Sequence, residues 1–245
     1  MLYSVNSLPT HLVVGVGKSA TSWIWKQLED CPEISTAANK EVHFFNKNFQ
    51  KGLNWYRSQF LPNKIVVDNT PDYFSLGDAY KIKKTLPYAK TLVCLRNPID
   101  RAFSQFKYHR FIRIIDLKKS FIDIWKSDVH RIKSLGIYPD VLKEYILFFE
   151  NNFSTLFYDD LKNDPESFIL NLYDFLGVEN HKSKYFDDKW MPRIADDKKK
   201  LEEYEKINKN IQLTKNDKNI MIDFYKNHIN ETSKIIGRDL SSWMN

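Results

Sequence analysis

The chain has 245 residues, 42% of them apolar and 28% charged. That length and balance fit one folded α/β domain over residues 1–245 and exclude a disordered or fibrous chain. The net charge of +6 favours anionic ligands in general, whether nucleotide, nucleic acid or acidic polymer. No apolar run reaches the roughly 20 residues of a membrane span, and MLYSVNSLPT lacks the basic flank and apolar core of a signal peptide; the expectation is a soluble, cytoplasmic protein. Cys31 and Cys94 have no metal-ligand spacing around them and are expected as reduced core residues.

The first element is an apolar run, Leu12, Val13 and Val14, which breaks at Gly15 and Gly17 into Lys18, Ser19, Ala20, Thr21 and Ser22 and then takes helical spacing. A strand, tight loop and helix start of this kind aims unpaired backbone N–H groups at one point beside the positive end of a helix dipole, an anion site suited to phosphate. Lys18 adds a full charge, and Thr21 and Ser22 add hydroxyl donors. Gly17-Lys18-Ser19 supplies the end of a G-x-x-x-x-G-K-[ST] loop, but the first glycine of that pattern falls on Leu12, so the triphosphatase signature is half met. A strand-to-helix turn with an incidental lysine is the bland alternative.

The helix that follows carries Ile24, Leu28 and Cys31 on one stripe and ends at Pro32. In Asn39–Asn46, an extended segment puts Glu41 and His43 on one face and Val42 and Phe44 on the other. A carboxylate beside an imidazole is a plausible general-base arrangement, and a surface strand entering the core through Phe44 and Phe45 is the alternative. Leu53, Tyr56 and Phe60 predict a short helix. Ile65–Asp68 reads as a buried strand whose terminal aspartate either holds magnesium or simply ends the strand.

A helix over Asp78–Leu86 stops at Pro87, and a strand over Thr91–Leu95 runs into Arg96. Asn97, Pro98 and Asp100 form a helix-start signature, with Asn97 as the cap. Arg96 thus sits at the carboxyl end of a strand, the ligand-binding edge of an open α/β sheet, and Ser104 lies two turns along the helix. The helix then becomes basic and aromatic from Phe103 to Arg113. Further helices are predicted over Phe121–Ile132, Tyr138–Glu150, Asp164–Gly177 and Asp196–Lys206, with a strand at Phe153–Phe157 and a closing helix around Ile220–Ile229, after which Leu240 and Trp243 tuck back. No internal repeat or linker divides the chain.

The order of these motifs resembles the sulfotransferases that use 3′-phosphoadenosine 5′-phosphosulfate (PAPS), in particular the glycan branch that includes the heparan sulfate enzymes. The GVGKSATS loop looks like the family's phosphosulfate loop, Lys40–Phe45 like its K-E-x-H-F-F segment, and Gly52–Tyr56 like its G-x-x-W-Y. Asn69–Tyr73 resembles its [KS]-[TS]-P-x-Y, Leu95–Ser104 its L-R-N-P-x-[DE]-R-[AT]-[YF]-S, and Tyr158–Leu161 and Phe175–Gly177 its later Y-x-D-L and F-L-G. The likeness is firm from about residue 11 to 180.

The resemblance implies a P-loop-like α/β fold, a central parallel sheet flanked by helices in a single domain. It implies PAPS as sulfuryl donor, no metal, no nucleic acid, and a glycan, polysaccharide or glycolipid acceptor. Gly15, Gly17, Lys18, Ser19, Ala20, Thr21 and Ser22 would hold the 5′-phosphosulfate, with Lys18 on the sulfate and bridging oxygen, and Arg96 and Ser104 the 3′-phosphate. Glu41 matches the catalytic base, and His43 lines the same site. Sulfuryl transfer needs an in-line nucleophile, a base and fixed positive charge at the leaving phosphate, and the residues supply these types.

Two departures stand out. Asn69 replaces the lysine that many members carry before the Thr-Pro step, and no late glycine-and-basic loop is evident, Arg193 or Lys198–Lys200 being the candidates for its role. The rival readings are a P-loop kinase using ATP and magnesium through Lys18, Ser19 and Asp68, and a basic nucleotide- or nucleic-acid-binding module without catalysis. The sequence leaves the oligomeric state open.

Overall fold

The computed structural model describes residues 7–187, 194 and 197–245. The chain forms two compact units. One is built from the residues up to Leu95 together with the stretch that begins at Glu144, and the other from Arg96–Lys143 together with the C-terminal part.

The first unit holds a five-stranded, fully parallel sheet in the order β2-β3-β1-β4-β5. Its strands are β1 (His11–Gly15), β2 (Ile34–Thr36), β3 (Ile65–Asn69), β4 (Lys90–Leu95) and β5 (Phe153–Phe157). Every residue of β1 and β3 is buried, as near-continuous apolar runs covered on both faces should be. Since β1 is central and the chain winds first to β2 and β3 and then to β4 and β5, the order reverses at β1. The carboxyl ends of β1 and its neighbours form the crevice where such sheets bind ligands.

Helices α1 (Thr21–Glu29), α8 (Tyr158–Asn163) and α9 (Pro165–Leu176) pack against the sheet through Trp23, Ile24, Leu28, Leu161, Phe168 and Leu172. Cys31 and Cys94 are reduced and buried in that core. Between the strands lie α2 (Gly52–Arg57), α3 (Tyr73–Leu76) and α4 (Ala79–Thr85). The helix starts expected at Asp78 and Asp164 are capped, Asp78 accepting from Lys81 N at 2.9 Å and Asp164 from Ser167 N at 3.0 Å, and Gly177 closes α9 at φ 72. Among the described residues no helix is long and apolar enough to cross a membrane.

The second unit opens with α5 (Pro98–Phe111), capped by Asn97, whose side chain accepts from Ile99 N at 2.9 Å and donates to Trp243 O at 3.1 Å. The helix predicted over Phe121–Ile132 is shorter, because α6 (Phe121–Lys126) stops six residues early. Asp128 turns left-handed (φ 53) and its carboxylate takes the N–H groups of Lys133 and Ser134 at 2.7 and 3.0 Å, so a local side-chain turn competes with the helix and wins. α7 (Pro139–Phe149) leads back into the first unit, and helices Lys198–Asn208 and Lys215–Ile236 complete the second. Leu240 and Trp243 are buried, as their spacing suggested.

Candidate active site

The loop after β1 is held tightly at its start. Val16 N–H donates to Cys94 O at 2.9 Å and Ser19 N–H to Val16 O at 3.2 Å. A side chain at Gly15 would place its Cβ 2.6 Å from Cβ of Phe74 and 3.1 Å from Pro71 O, so only glycine fits there. Lys18 and Ala20 both take positive φ, 73 and 59. Such alternation turns successive amides inward, the geometry of an anion nest.

The ladder of α1 begins with Ile24 N–H to Ala20 O, so the amides of Thr21, Ser22 and Trp23 fall ahead of it at the positive end of the dipole. Ser19 is fully buried and its Oγ has no hydrogen-bond partner. A buried hydroxyl without a partner beside a nest of amides fits a bound phosphate oxygen, so the loop meets the requirements of the 5′ end of PAPS.

Glu41 and His43 come together, though not by strand alternation. Residues 41–43 lie outside any helix or strand, His43 is left-handed (φ 54, ψ 32), and a single wide turn, Phe44–Asn48, follows. His43 Nε2 stands 3.4 Å from Oε2 of Glu41, and Lys40 Nζ 2.8 Å from Oε1. On its other side His43 Nδ1 is 3.7 Å from Oδ2 of Asp72, which is also 3.8 Å from Lys47 Nζ. Val42 and Phe44 are buried, as expected for the opposite face. Sequence reasoning placed Lys40 in the K-E-x-H-F-F segment without a role and missed Asp72 as a member of this cluster.

The carboxyl end of β3 ties the loop and the Glu41 segment together. Asn69, almost fully buried, donates from Nδ2 to Thr21 O at 2.9 Å in the first turn of α1. The next residue, Thr70, accepts the N–H groups of Val42 at 3.1 Å and His43 at 3.4 Å. Asn69 thus acts as a brace on the phosphate loop.

Asp68 is not placed to hold magnesium. It is fully buried and accepts hydroxyls from Thr70 at 2.6 Å, Tyr56 at 2.7 Å and Tyr73 at 2.8 Å. Burial raises its pKa, while the three hydroxyls and the nearby His43 act in the opposite direction. The kinase reading, which needed an accessible carboxylate here, loses its metal ligand. Among the described residues no group of three or more His, Cys, Asp or Glu side chains is arranged around a metal site.

Within the second unit, Arg96 follows β4 directly and precedes the capped start of α5. Its carbonyl accepts from Tyr138 OH at 2.8 Å. Arg96 and Ser104 are each partly exposed. Lys107, one turn beyond Ser104, has its pKa lowered by burial and further by the charge of Arg96. The carboxylate of Asp100 acts in the opposite direction. Lys198–Lys200 form the exposed first turn of their helix, with Lys200 Nζ 3.4 Å from Asp197. Arg193, the other late candidate, lies outside the described residues.

A central β1, a nested phosphate loop at its carboxyl end and a basic strand end at β4 define a P-loop-like α/β protein built to hold a nucleotide phosphate. The family follows from comparison. The chain belongs to the sulfotransferase domain family, whose model matches residues 8–234 and so runs across both units. It is 27% identical over 272 residues to the human bifunctional heparan sulfate N-deacetylase/N-sulfotransferase 3, an alignment covering 97% of this chain and 31% of that protein. It is 29% identical over 185 residues to the human heparan sulfate glucosamine 3-O-sulfotransferase 6, covering 70% of this chain and 53% of the relative. The chain therefore spans about a third to a half of the length of these relatives. A sulfotransferase from Alicyclobacillus acidocaldarius shares the fold at a TM-score of 0.76 and 20% identity, with 98% of this chain and 100% of that one covered.

Proposed function

We propose that the chain transfers the sulfuryl group of PAPS to a hydroxyl or amine of a glycan acceptor, releasing 3′-phosphoadenosine 5′-phosphate, and that it does so in the cytoplasm. The observation that carries the reading is the joint anchoring of two chemistries on one strand end: Asn69 braces the phosphate loop and Thr70 braces the segment of Glu41 and His43. When bound, PAPS supplies an activated sulfuryl group on a phosphate leaving group. Lys18, the amides at the start of α1, Ser19, Thr21 and Ser22 hold the 5′ end and meet the negative charge that grows on the bridging oxygen. Arg96 and Ser104 take the 3′-phosphate.

Glu41 accepts the acceptor's proton at a carboxylate oxygen. Lys40 and His43 fix the orientation of that carboxylate from its two sides. Asp72 and Lys47 extend the polar cluster around His43. The glycan part of the reading is supported by the two heparan sulfate relatives. Release of 3′-phosphoadenosine 5′-phosphate from PAPS, measured across desulfated heparan, N-deacetylated heparan, chondroitin, simple glycosides, a phenol and a sterol, tests it. Turnover on at least one glycan, and none with PAPS and buffer alone, is the expected result. Turnover only on phenols or sterols refutes the glycan assignment.

A further inference from the structure

Glu41 and His43 sit on backbone that has little regular structure of its own, and His43 occupies a left-handed conformation that a β-carbon disfavours. Something outside the segment must hold it. Three consecutive amides are gripped from below: Val42 and His43 by Oγ1 of Thr70, and Phe44 by the hydroxyl of Tyr73 at 2.7 Å.

Each hydroxyl has one proton and two lone pairs. Both protons are directed to the same carboxylate, Thr70 to Oδ1 and Tyr73 to Oδ2 of Asp68. An ionised carboxylate has no proton to give, so it fixes the direction of both hydroxyls and leaves their lone pairs for the amides of 42–44. An amide group at position 68 would bring an N–H donor that competes for one of those lone pairs. Tyr56 gives a third hydroxyl to Oδ2 and satisfies the buried charge, but its hydroxyl is not bonded to the 42–44 backbone.

We propose that Asp68 is a positioning residue for the transfer reaction, an acceptor-only hub that turns Thr70 and Tyr73 into acceptors for the backbone of residues 42–44 and so sets Glu41 and His43 in place. This rests on the reading of Glu41 as the base. The same strand end carries the brace from Asn69 to α1, so base and phosphate loop share one anchor.

The test uses the full chain and the variants Asp68→Asn, Thr70→Val, Tyr73→Phe and Tyr56→Phe. Three quantities are measured: amide hydrogen exchange at residues 42–44 by NMR, affinity for 3′-phosphoadenosine 5′-phosphate by calorimetry, and kcat and KM on the acceptor used by the parent protein. Asp68→Asn and Thr70→Val are expected to lose exchange protection at 42 and 43 by roughly tenfold or more and to lose about 100-fold in kcat, as a small misplacement of a catalytic group does. Nucleotide affinity and acceptor KM should stay within about twofold, because every variant keeps the bond from Asn69 to Thr21 that braces the loop.

Tyr56→Phe keeps its ring against Phe44 and should lower stability alone. Unchanged protection and kcat in Asp68→Asn and Thr70→Val overturn the proposal, as does an equal kcat loss in Tyr56→Phe, which would make the network structural only. Should Asp68→Asn fail to fold, Thr70→Val and Tyr73→Phe carry the same comparison. Absence of PAPS turnover in the parent protein overturns the sulfotransferase reading instead, while the exchange measurement still decides the hub.

Discussion

Gly15 and Gly17 stand two residues apart in the phosphate loop, and the structure assigns them opposite sensitivities to one added methyl. At Gly15 the new Cβ would lie 2.6 Å from Cβ of Phe74 and 3.1 Å from Pro71 O. Carbon atoms settle at about 3.5–4.0 Å, so the overlap is roughly 1 Å. Neither partner is the end of a flexible chain. β1 is clamped between β3 and β4, and Phe74 belongs to α3, which is pinned by Tyr145 OH donating to Tyr73 O at 3.1 Å and by the Phe74–Tyr145 ring contact at 5.6 Å.

Relief therefore requires backbone movement, and Gly15→Ala should lose about 1–3 kcal/mol, the usual cost of overpacking. At about 2–4 °C per kcal/mol for a chain of this size, Tm should fall by roughly 2–12 °C. At Gly17 the Cβ meets nothing within 4 Å, so Gly17→Ala should stay within about 0.5 kcal/mol of the parent. Thermal and urea unfolding of the two variants side by side measures the contrast. Equal Tm values, or a larger loss in Gly17→Ala, would refute the packing argument at the base of the loop.

Glu41→Gln should keep nucleotide binding and lower kcat by about two to four orders of magnitude, the range for loss of a general base; single-turnover rates with bound PAPS measure it, and an unchanged rate removes Glu41 from the mechanism. Lys18→Ala should abolish transfer in the same assay, since it removes the fixed charge at the leaving phosphate. His11, buried and facing the charge of Lys90, has its pKa pushed down to about 4. Below pH 6.5 the unfolded chain takes up a proton that the folded chain refuses until about pH 4. Stability should therefore fall by about 3 kcal/mol between those values, and His11→Gln should flatten that part of the profile in urea titrations.

The elements written in residue chemistry were legible. Apolar runs marked β1, β3 and β4, and Asn97-Pro98 and Asp164-Pro165 marked helix starts that the structure caps as read. β2 was not legible: it is three residues, Ile34, Ser35 and Thr36, whose only claim to strand structure is its pairing with Ile65, Val66 and Val67, and no local pattern encodes a partner about 30 residues away.

At the site, Glu41 and His43 were found by type and spacing, but the conformation was wrong. The pair meets because His43 turns left-handed above Thr70, a tertiary effect. Asp68 shows the same limit from the other side. Its place at a strand end suggested a metal ligand, and only the arrival of Tyr56, twelve positions back, and Tyr73 over its carboxylate shows a buried hub.

The central claim is that the chain binds 3′-phosphoadenosine 5′-phosphate in preference to a triphosphate. Calorimetric titration with 3′-phosphoadenosine 5′-phosphate, set beside ATP with magnesium and repeated on Arg96→Ala, tests it most directly. Selective binding of the bisphosphate, weakened roughly 10- to 100-fold without the Arg96 guanidinium, is the predicted result for loss of a charged hydrogen-bonded pair. Preference for ATP with magnesium, or bisphosphate binding indifferent to Arg96, would contradict it.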